Sequence, residues 1–95
     1  MKPDNSIKHA LITGASRGIG KATAEVFARY GYDLTLTCHN SIRELKALAD
    51  SLHASYGVSC LPLQADMGNE ADVIGVFSSI HHLDVLVNNA GIAHL

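Results

Sequence analysis

The sequence has no excess of charge of either sign. Seven lysines and arginines stand against nine aspartates and glutamates, a formal net charge of −2. The basic residues are scattered from Lys2 to Lys46 and form no run. That leaves no electrostatic case for nucleic acid or for an anionic membrane as a partner. No apolar stretch approaches the ~20 residues that cross a bilayer. The polar start, Met1-Lys2-Pro3-Asp4-Asn5-Ser6, lacks the apolar segment of a signal peptide. A cytoplasmic protein is expected. There are only two cysteines, Cys38 and Cys60, and they form no CxxC pair. At opposite ends of neighbouring parallel strands they would stand roughly five residues' rise apart, ~16 Å. That exceeds the ~7 Å between Cα atoms that a disulfide spans, so reduced thiols are expected. Among six histidines, His81 and His82 are adjacent and the others lie far apart. No zinc-type spacing arises from them, which points to surface or loop positions and to no metal.

What is present is a glycine-rich stretch, Thr13-Gly14-Ala15-Ser16-Arg17-Gly18-Ile19-Gly20, entered from the apolar run Ala10-Leu11-Ile12. A helix-period pattern leaves it. Gly14 permits a sharp turn at positive φ, Gly18 lets a ligand phosphate approach backbone, and Gly20 allows the helix start to pack close to the strand. The unpaired N–H groups of that helix start form an anion site. Incidental glycines in a strand–turn–helix are the minority reading at this spacing. The spacing is G-x-x-x-G-x-G rather than the common G-x-G-x-x-G. It also lacks the lysine-threonine ending of a P-loop, which argues against an NTPase.

Composition fits one small globular α/β domain over residues 1–95, with 47% apolar and 17% charged residues. Ile7 to Thr13 reads as a first strand covered on both faces. Ile19, Ala22, Thr23, Val26, Phe27 and Tyr30 form the predicted inner face of a first helix, stopped by Gly31. Leu34 to Cys38 is a second strand. Ile42, Leu45, Leu48, Ala49 and Leu52 line a second helix capped at Asn40-Ser41, with Gly57 after it. Ser59 to Ala65 is a third strand, placed at a sheet edge by Pro62. Asn69 caps a third helix, with Asp72 as a weak capping-box partner and Gly75 weakening its interior. Leu83 to Val87 is a fourth strand, followed by Asn88-Asn89-Ala90-Gly91. This alternation predicts a Rossmann-type parallel sheet with helices on both faces and strand order 3-2-1-4. The switch point between strands one and four then brings Thr13–Gly20 and Asn88–Gly91 together beyond the strands' carboxyl ends.

Thr-Gly-Ala-Ser-Arg-Gly-Ile-Gly resembles the cofactor motif of the short-chain dehydrogenase/reductase family, and the other stretches match in the family's order across almost the whole chain. The resemblance implies a dinucleotide held at Gly14, Ser16, Arg17, Gly18, Ile19 and Gly20. It implies that Asp66, with Met67 beside it, receives the adenine amino group; alone, Asp66 reads as a solvated turn residue. It implies that Asn88, Ala90 and Gly91 line the cofactor ribose. NAD-using members usually carry an acid after strand two to bind the ribose 2′-hydroxyl. Here Cys38-His39-Asn40-Ser41 offers none, and Arg17 can make charge-assisted bonds to a 2′-phosphate, assisted by His39 or by the Asn40 and Ser41 groups. NADP(H) is therefore favoured over NAD(H).

The family's catalytic serine and Tyr-x-x-x-Lys pair are missing. Tyr30, Tyr32 and Tyr56 are followed four positions on by Leu34, Leu36 and Cys60. The chain thus resembles the N-terminal, cofactor-binding portion of such an enzyme, with the later strands absent and no catalytic residue of its own. The motif looks most like the 3-oxoacyl-[acyl-carrier-protein] reductase branch of fatty acid biosynthesis. That implies reduction of a small-molecule or carrier-bound carbonyl, and a homo-oligomer, only for a full-length chain. The alternatives are a reductase of the same branch acting on another carbonyl, such as a protein-linked ketone, and a non-catalytic dinucleotide-binding module.

Overall fold

The structure, a computed structural model, describes residues 7–89. Ala90 and Gly91 lie outside the described residues. The elements run β1 (His9–Ile12), α1 (Gly18–Arg29), β2 (Asp33–Cys38), α2 (Ile42–Tyr56), β3 (Cys60–Gln64), α3 (Glu70–Ser78) and β4 (Val85–Val87). The four strands form one sheet in the order β3-β2-β1-β4, and every pairing is parallel. This is the doubly wound arrangement that the alternation of strand and helix predicts. β1 and β2 are almost wholly buried, as strands covered on both faces are, whereas Leu61 of β3 and Leu86 of β4 are exposed.

Two clusters make the core, one on each face. On the first, Ala10, Ile12, Leu34, Leu36 and Cys38 meet Ala24 and Ala28 of α1 and Leu45, Leu48 and Leu52 of α2. On the second, Leu11 meets Ala65 and Val76, with Leu63, Met67, Ile80 and Leu83 packed around them. Alternate residues of β1 therefore point to opposite helix layers, as strand geometry requires. Burial of each large side chain contributes about 1.5–3 kcal/mol, the main favourable term for so small a core. Pro62 sits in β3, which pairs only with β2, so its missing N–H costs no sheet bond. Register pairs Leu34 with Cys60 and Cys38 with Gln64, so the two cysteines lie at opposite ends of adjacent strands and both are free.

The predicted inner face of α1 is corrected by the structure. Its buried residues are Gly20, Ala24 and Ala28, whereas Ile19 is 77% exposed and Tyr30 75% exposed. Small residues one turn apart let the helix backbone approach the sheet, and the larger ones are turned outward. Of the bulky residues in that stripe only Phe27 packs on the core, its ring edge-to-face with Tyr32 at 4.8 Å between centroids. The predicted stripe of α2 holds: Leu45, Leu48, Ala49 and Leu52 are buried. Both helices stop at glycines with positive φ, Gly31 at +87° and Gly57 at +75°.

At the amino ends of the strands, polar groups tie β1 to its neighbours. The His9 N–H donates to Asp84 Oδ2 at 2.9 Å, and His82 Nε2 lies 2.8 Å from the same oxygen. The His9 ring shares a hydrogen bond with Thr35 Oγ1 at 2.8 Å. Burial lowers the His9 pKa below its usual 6.5, outweighing Asp33 and Asp84, while nearby His82 adds to the lowering. The unfolded chain then binds the proton more readily than the folded one. Stability is full above pH about 6.5 and falls as pH drops from there through the lower folded pKa. The Asp84 carboxyl is held below its usual range, chiefly by the His9 N–H, so its contribution is lost only at more acid pH. Urea midpoints measured between about pH 7 and 5 should fall on acidification, and His9→Gln should flatten that limb; an unchanged limb would assign it to another group.

Candidate functional site

The turn after β1 has the conformation its glycines allow. Gly14 and Gly18 both adopt φ of +62°, in the left-handed region that disfavours side chains. A Cβ at Gly18 would meet nothing within 4 Å, so that backbone faces open space. At Gly20 the opposite holds: a Cβ would collide with the Gly14 carbonyl oxygen and lie 2.9 Å from Asn89 Nδ2. Arg17 is the N-cap residue of α1 with extended backbone, and no side chain caps the helix start. Its first N–H groups have no acceptor within the helix.

The loop after β4 closes onto this turn. Thr13 Oγ1 donates to Asn88 Oδ1 at 3.1 Å and accepts from the Asn89 N–H at 2.8 Å. The Thr13 N–H donates to the Val87 carbonyl at 3.0 Å. Asn89 Nδ2 donates to the Gly14 carbonyl at 3.0 Å. Thr13 and Asn89 therefore hold the glycine turn in place; the resemblance implies that the Asn88–Gly91 stretch steadies the sheet, and Thr13 is the partner it leaves unnamed. A lone threonine hydroxyl beside an asparagine 76 positions away leaves no local signal. On the other side the Ala15 N–H donates to the Thr37 carbonyl at 2.9 Å, fixing the turn against β2.

The end of β2 and the start of α3 supply the rest. A cleft of about 140 Å³ is lined by Gly14, Thr37, Cys38, His39, Ala65, Asp66, Met67 and Gly68. His39 and Asp66, predicted from distant stretches, thus share one wall with the glycine turn. Thr37 Oγ1 is buried there without a hydrogen-bond partner. Asp66 Oδ1 accepts from the Gly68 N–H at 2.9 Å, and the Asp66 N–H donates to Asp72 Oδ2 at 2.8 Å. Asn69 caps α3 by accepting from the Asp72 N–H at 3.0 Å. Asp72 does not complete the predicted capping box, because its carboxylate serves Asp66 instead and the Asn69 N–H donates to the Asp66 carbonyl. Met67 is half-buried against the second core cluster. Asn40 and Ile19 are exposed.

Arg17 reaches across to the second loop. Its Nη2 donates to Ser41 Oγ at 2.7 Å and lies 3.7 Å from Glu44 Oε2. Ser16 and Gly18 line the same side, in a cleft of about 530 Å³ between α1 and α2. Two further clefts lie at the opposite end of the sheet, around Lys8 and Tyr30 and around His9 and His82, away from the glycine turn. Burial raises the Cys38 thiol pKa and pushes that of Cys60 up to about 11, which keeps both protonated and poorly nucleophilic. Among the described residues no group of three His, Cys, Asp or Glu could hold a metal, and no helix is long and apolar enough to cross a membrane.

A family model for short chain dehydrogenases matches residues 8–95, which takes in every loop of the site. The chain belongs to the short-chain dehydrogenase family. This short-chain dehydrogenase chain is 38% identical over 90 residues to an NADP-dependent 3-hydroxy acid dehydrogenase of Schizosaccharomyces pombe, covering 90% of this chain and 35% of that one. It is 39% identical over 89 residues to a 3-oxoacyl-[acyl-carrier-protein] reductase of Staphylococcus aureus, covering 90% and 36%. Among solved structures it matches a short-chain dehydrogenase from Sphingobium yanoikuyae in complex with NADPH with a TM-score of 0.81 and 42% identity, covering 90% and 34%. The chain spans about a third of the length of the curated relatives it matches. Those relatives are named for different substrates, so the 3-oxoacyl reductase branch is one of several that this chain resembles.

Two glycines in this short-chain dehydrogenase chain should respond oppositely to alanine. Gly20→Ala forces the helix off the turn and should cost about 1–3 kcal/mol, as overpacking does. Gly75 lies inside α3 with nothing within 4 Å of an added Cβ. Gly75→Ala should therefore stabilise by up to ~1 kcal/mol. Urea unfolding of the two variants reads both signs; a neutral Gly20→Ala would contradict the close approach.

Proposed function

We propose that residues 1–95 are a single dinucleotide-binding unit that prefers NADP(H) to NAD(H), the cofactor-binding part of a carbonyl reductase. The observation that carries the reading is Arg17 reaching Ser41 at 2.7 Å beside a β2 end, Cys38-His39-Asn40-Ser41, that bears no carboxylate. A ribose 2′-phosphate at that place meets a guanidinium and a hydroxyl, and the β2 end itself offers a 2′-hydroxyl no carboxylate as acceptor. The NADP-dependent relative from Schizosaccharomyces pombe and the NADPH complex from Sphingobium yanoikuyae support the same choice.

Two features suit such a ligand. The start of α1 is uncapped, and Gly18 faces open space. In this reading Gly14, Ser16, Gly18, Ile19 and Gly20 hold the pyrophosphate and its neighbourhood at the helix start. Arg17, His39 and Asn40 surround the 2′-phosphate. Asp66 and Met67 bound the adenine, the free carboxylate oxygen of Asp66 accepting from its amino group. Asn88, with Ala90 and Gly91, lines the ribose on the nicotinamide side. When bound, NADPH supplies the hydride that converts a carbonyl to a secondary alcohol. This chain's own residues bind and orient the dinucleotide. The proton for the alcohol oxygen needs a donor such as the family's Tyr-x-x-x-Lys, which these 95 residues do not contain.

The finer reading, a 3-oxoacyl thioester carried on a protein as substrate, draws support from the glycine motif and the Staphylococcus aureus relative. A protein-linked ketone is the second substrate to test.

Calorimetric titration should show tighter binding of NADPH than of NADH. Arg17→Ala should cost about 1.5–3 kcal/mol against NADPH, the range for a charged hydrogen bond, and little against NADH; equal affinities for the two in the unaltered chain would overturn the preference. The 95-residue polypeptide alone should oxidise no NADPH with 3-oxoacyl thioesters, since a missing general acid is worth about 10²–10⁴-fold. Measurable turnover would show that another residue donates the proton. Binding without turnover in the whole protein would favour the non-catalytic module.

A further inference from the structure

The end of β2 lacks an acid in the sequence, yet the fold returns one to it. Glu44 is in the first turn of α2, and its Oε2 stands 3.7 Å from Arg17 Nη2. The same guanidinium nitrogen donates to Ser41 Oγ at 2.7 Å. Arg17 is thus already matched by one carboxylate and one hydroxyl. The remaining charges lining this cleft, Lys21 and Glu25, are of opposite sign and one turn apart on α1. Arg17, Lys21, Glu25 and Glu44 together sum to no net charge, so the cleft offers a dianionic phosphate no general attraction. Favour for it must come from local contacts, and the charged one, Arg17, is gained only in exchange for Glu44.

We propose that Glu44 is a specificity-determining residue of this site, an internal competitor for Arg17 that lowers affinity for a 2′-phosphorylated dinucleotide. The proposal rests on the NADP(H) reading above. A 2′-phosphate that pairs with Arg17 must displace the Glu44 carboxylate and then lie close to it. Both effects oppose phosphate, whereas a neutral 2′-hydroxyl is not repelled by the carboxylate. Discrimination between NADP(H) and NAD(H) is accordingly weaker than Arg17 and Ser41 alone would give. The side chains of Arg17 and Glu44 are 73% and 62% exposed, so water and salt screen the pair and its effect is modest.

The test is calorimetric titration of NADP+ and NAD+ into the full chain, unaltered and as Glu44→Gln, each with and without Arg17→Ala. Glu44→Gln keeps the side-chain length and removes only the charge. It should tighten NADP+ about two- to fivefold, the scale of an exposed ion pair, and leave NAD+ unchanged. The gain should fade at about 1 M salt, where the Debye length is ~3 Å. It should also shrink in the Arg17→Ala background, where no guanidinium is left to release. An unchanged NADP+ affinity, or an equal shift for both dinucleotides, would overturn the role of Glu44 while leaving NADP(H) binding intact. If the unaltered chain bound neither dinucleotide, the functional reading would fall and this inference with it.

Discussion

Three elements meet at the carbonyl oxygen of Gly14. The first turn of α1 rests against it through Gly20, and the loop after β4 donates to it from Asn89 Nδ2 at 3.0 Å. A side chain at position 20 would occupy the space that both need. Because the helix is seated this closely, its sheet-facing positions one turn apart must also be small. Ala24 and Ala28 fill them, and the larger Ile19 and Tyr30 face outward. The same seating holds the uncapped start of α1 beside the loops that follow β1 and β4. One close approach thus sets both the packing of the first helix and the position of the candidate anion site.

The two ends of the sheet differ in how their polar groups are satisfied. At the amino end, His9, Thr35, His82 and Asp84 bond one another, and β1 is tied to β2 and β4. At the carboxyl end, Thr13 and Asn89 bond the loops together, but the start of α1 is uncapped. Closed polar networks hold structure, whereas donors left open beside a cleft can recognise a ligand. The asymmetry agrees with the general placement of ligands beyond the carboxyl ends of open parallel sheets.

Much of this was legible in the residues. The stripe of α2 reads correctly because its leucines fill space between helix and sheet, so size and burial go together. The same rule misreads α1, where contact is so close that burial selects the smallest residues. Pro62 marks β3 as an edge because a missing donor is tolerated there. Asp72 reads as the partner of Asn69, yet it bonds the Asp66 N–H, six residues back, because the turn after β3 folds over it. Glu44 gives no sign in sequence of standing beside Arg17. It lies beyond the end of β2, and only the first turn of α2 brings it back.

By itself the sequence determined the order of strands and helices, the glycine turn, the separation of the two cysteines and the parallel topology. These depend on local backbone preference, on hydrophobic period and on short connections that leave few ways to close a sheet. The tertiary structure alone decided which side of α1 faces inward, that Asn89 shares the Gly14 carbonyl, and that Glu44 stands at Arg17. Each of these is a distance between segments far apart in the chain. Such distances are set by how closely a helix can lie on a sheet, and that depends on the packing of all the layers at once.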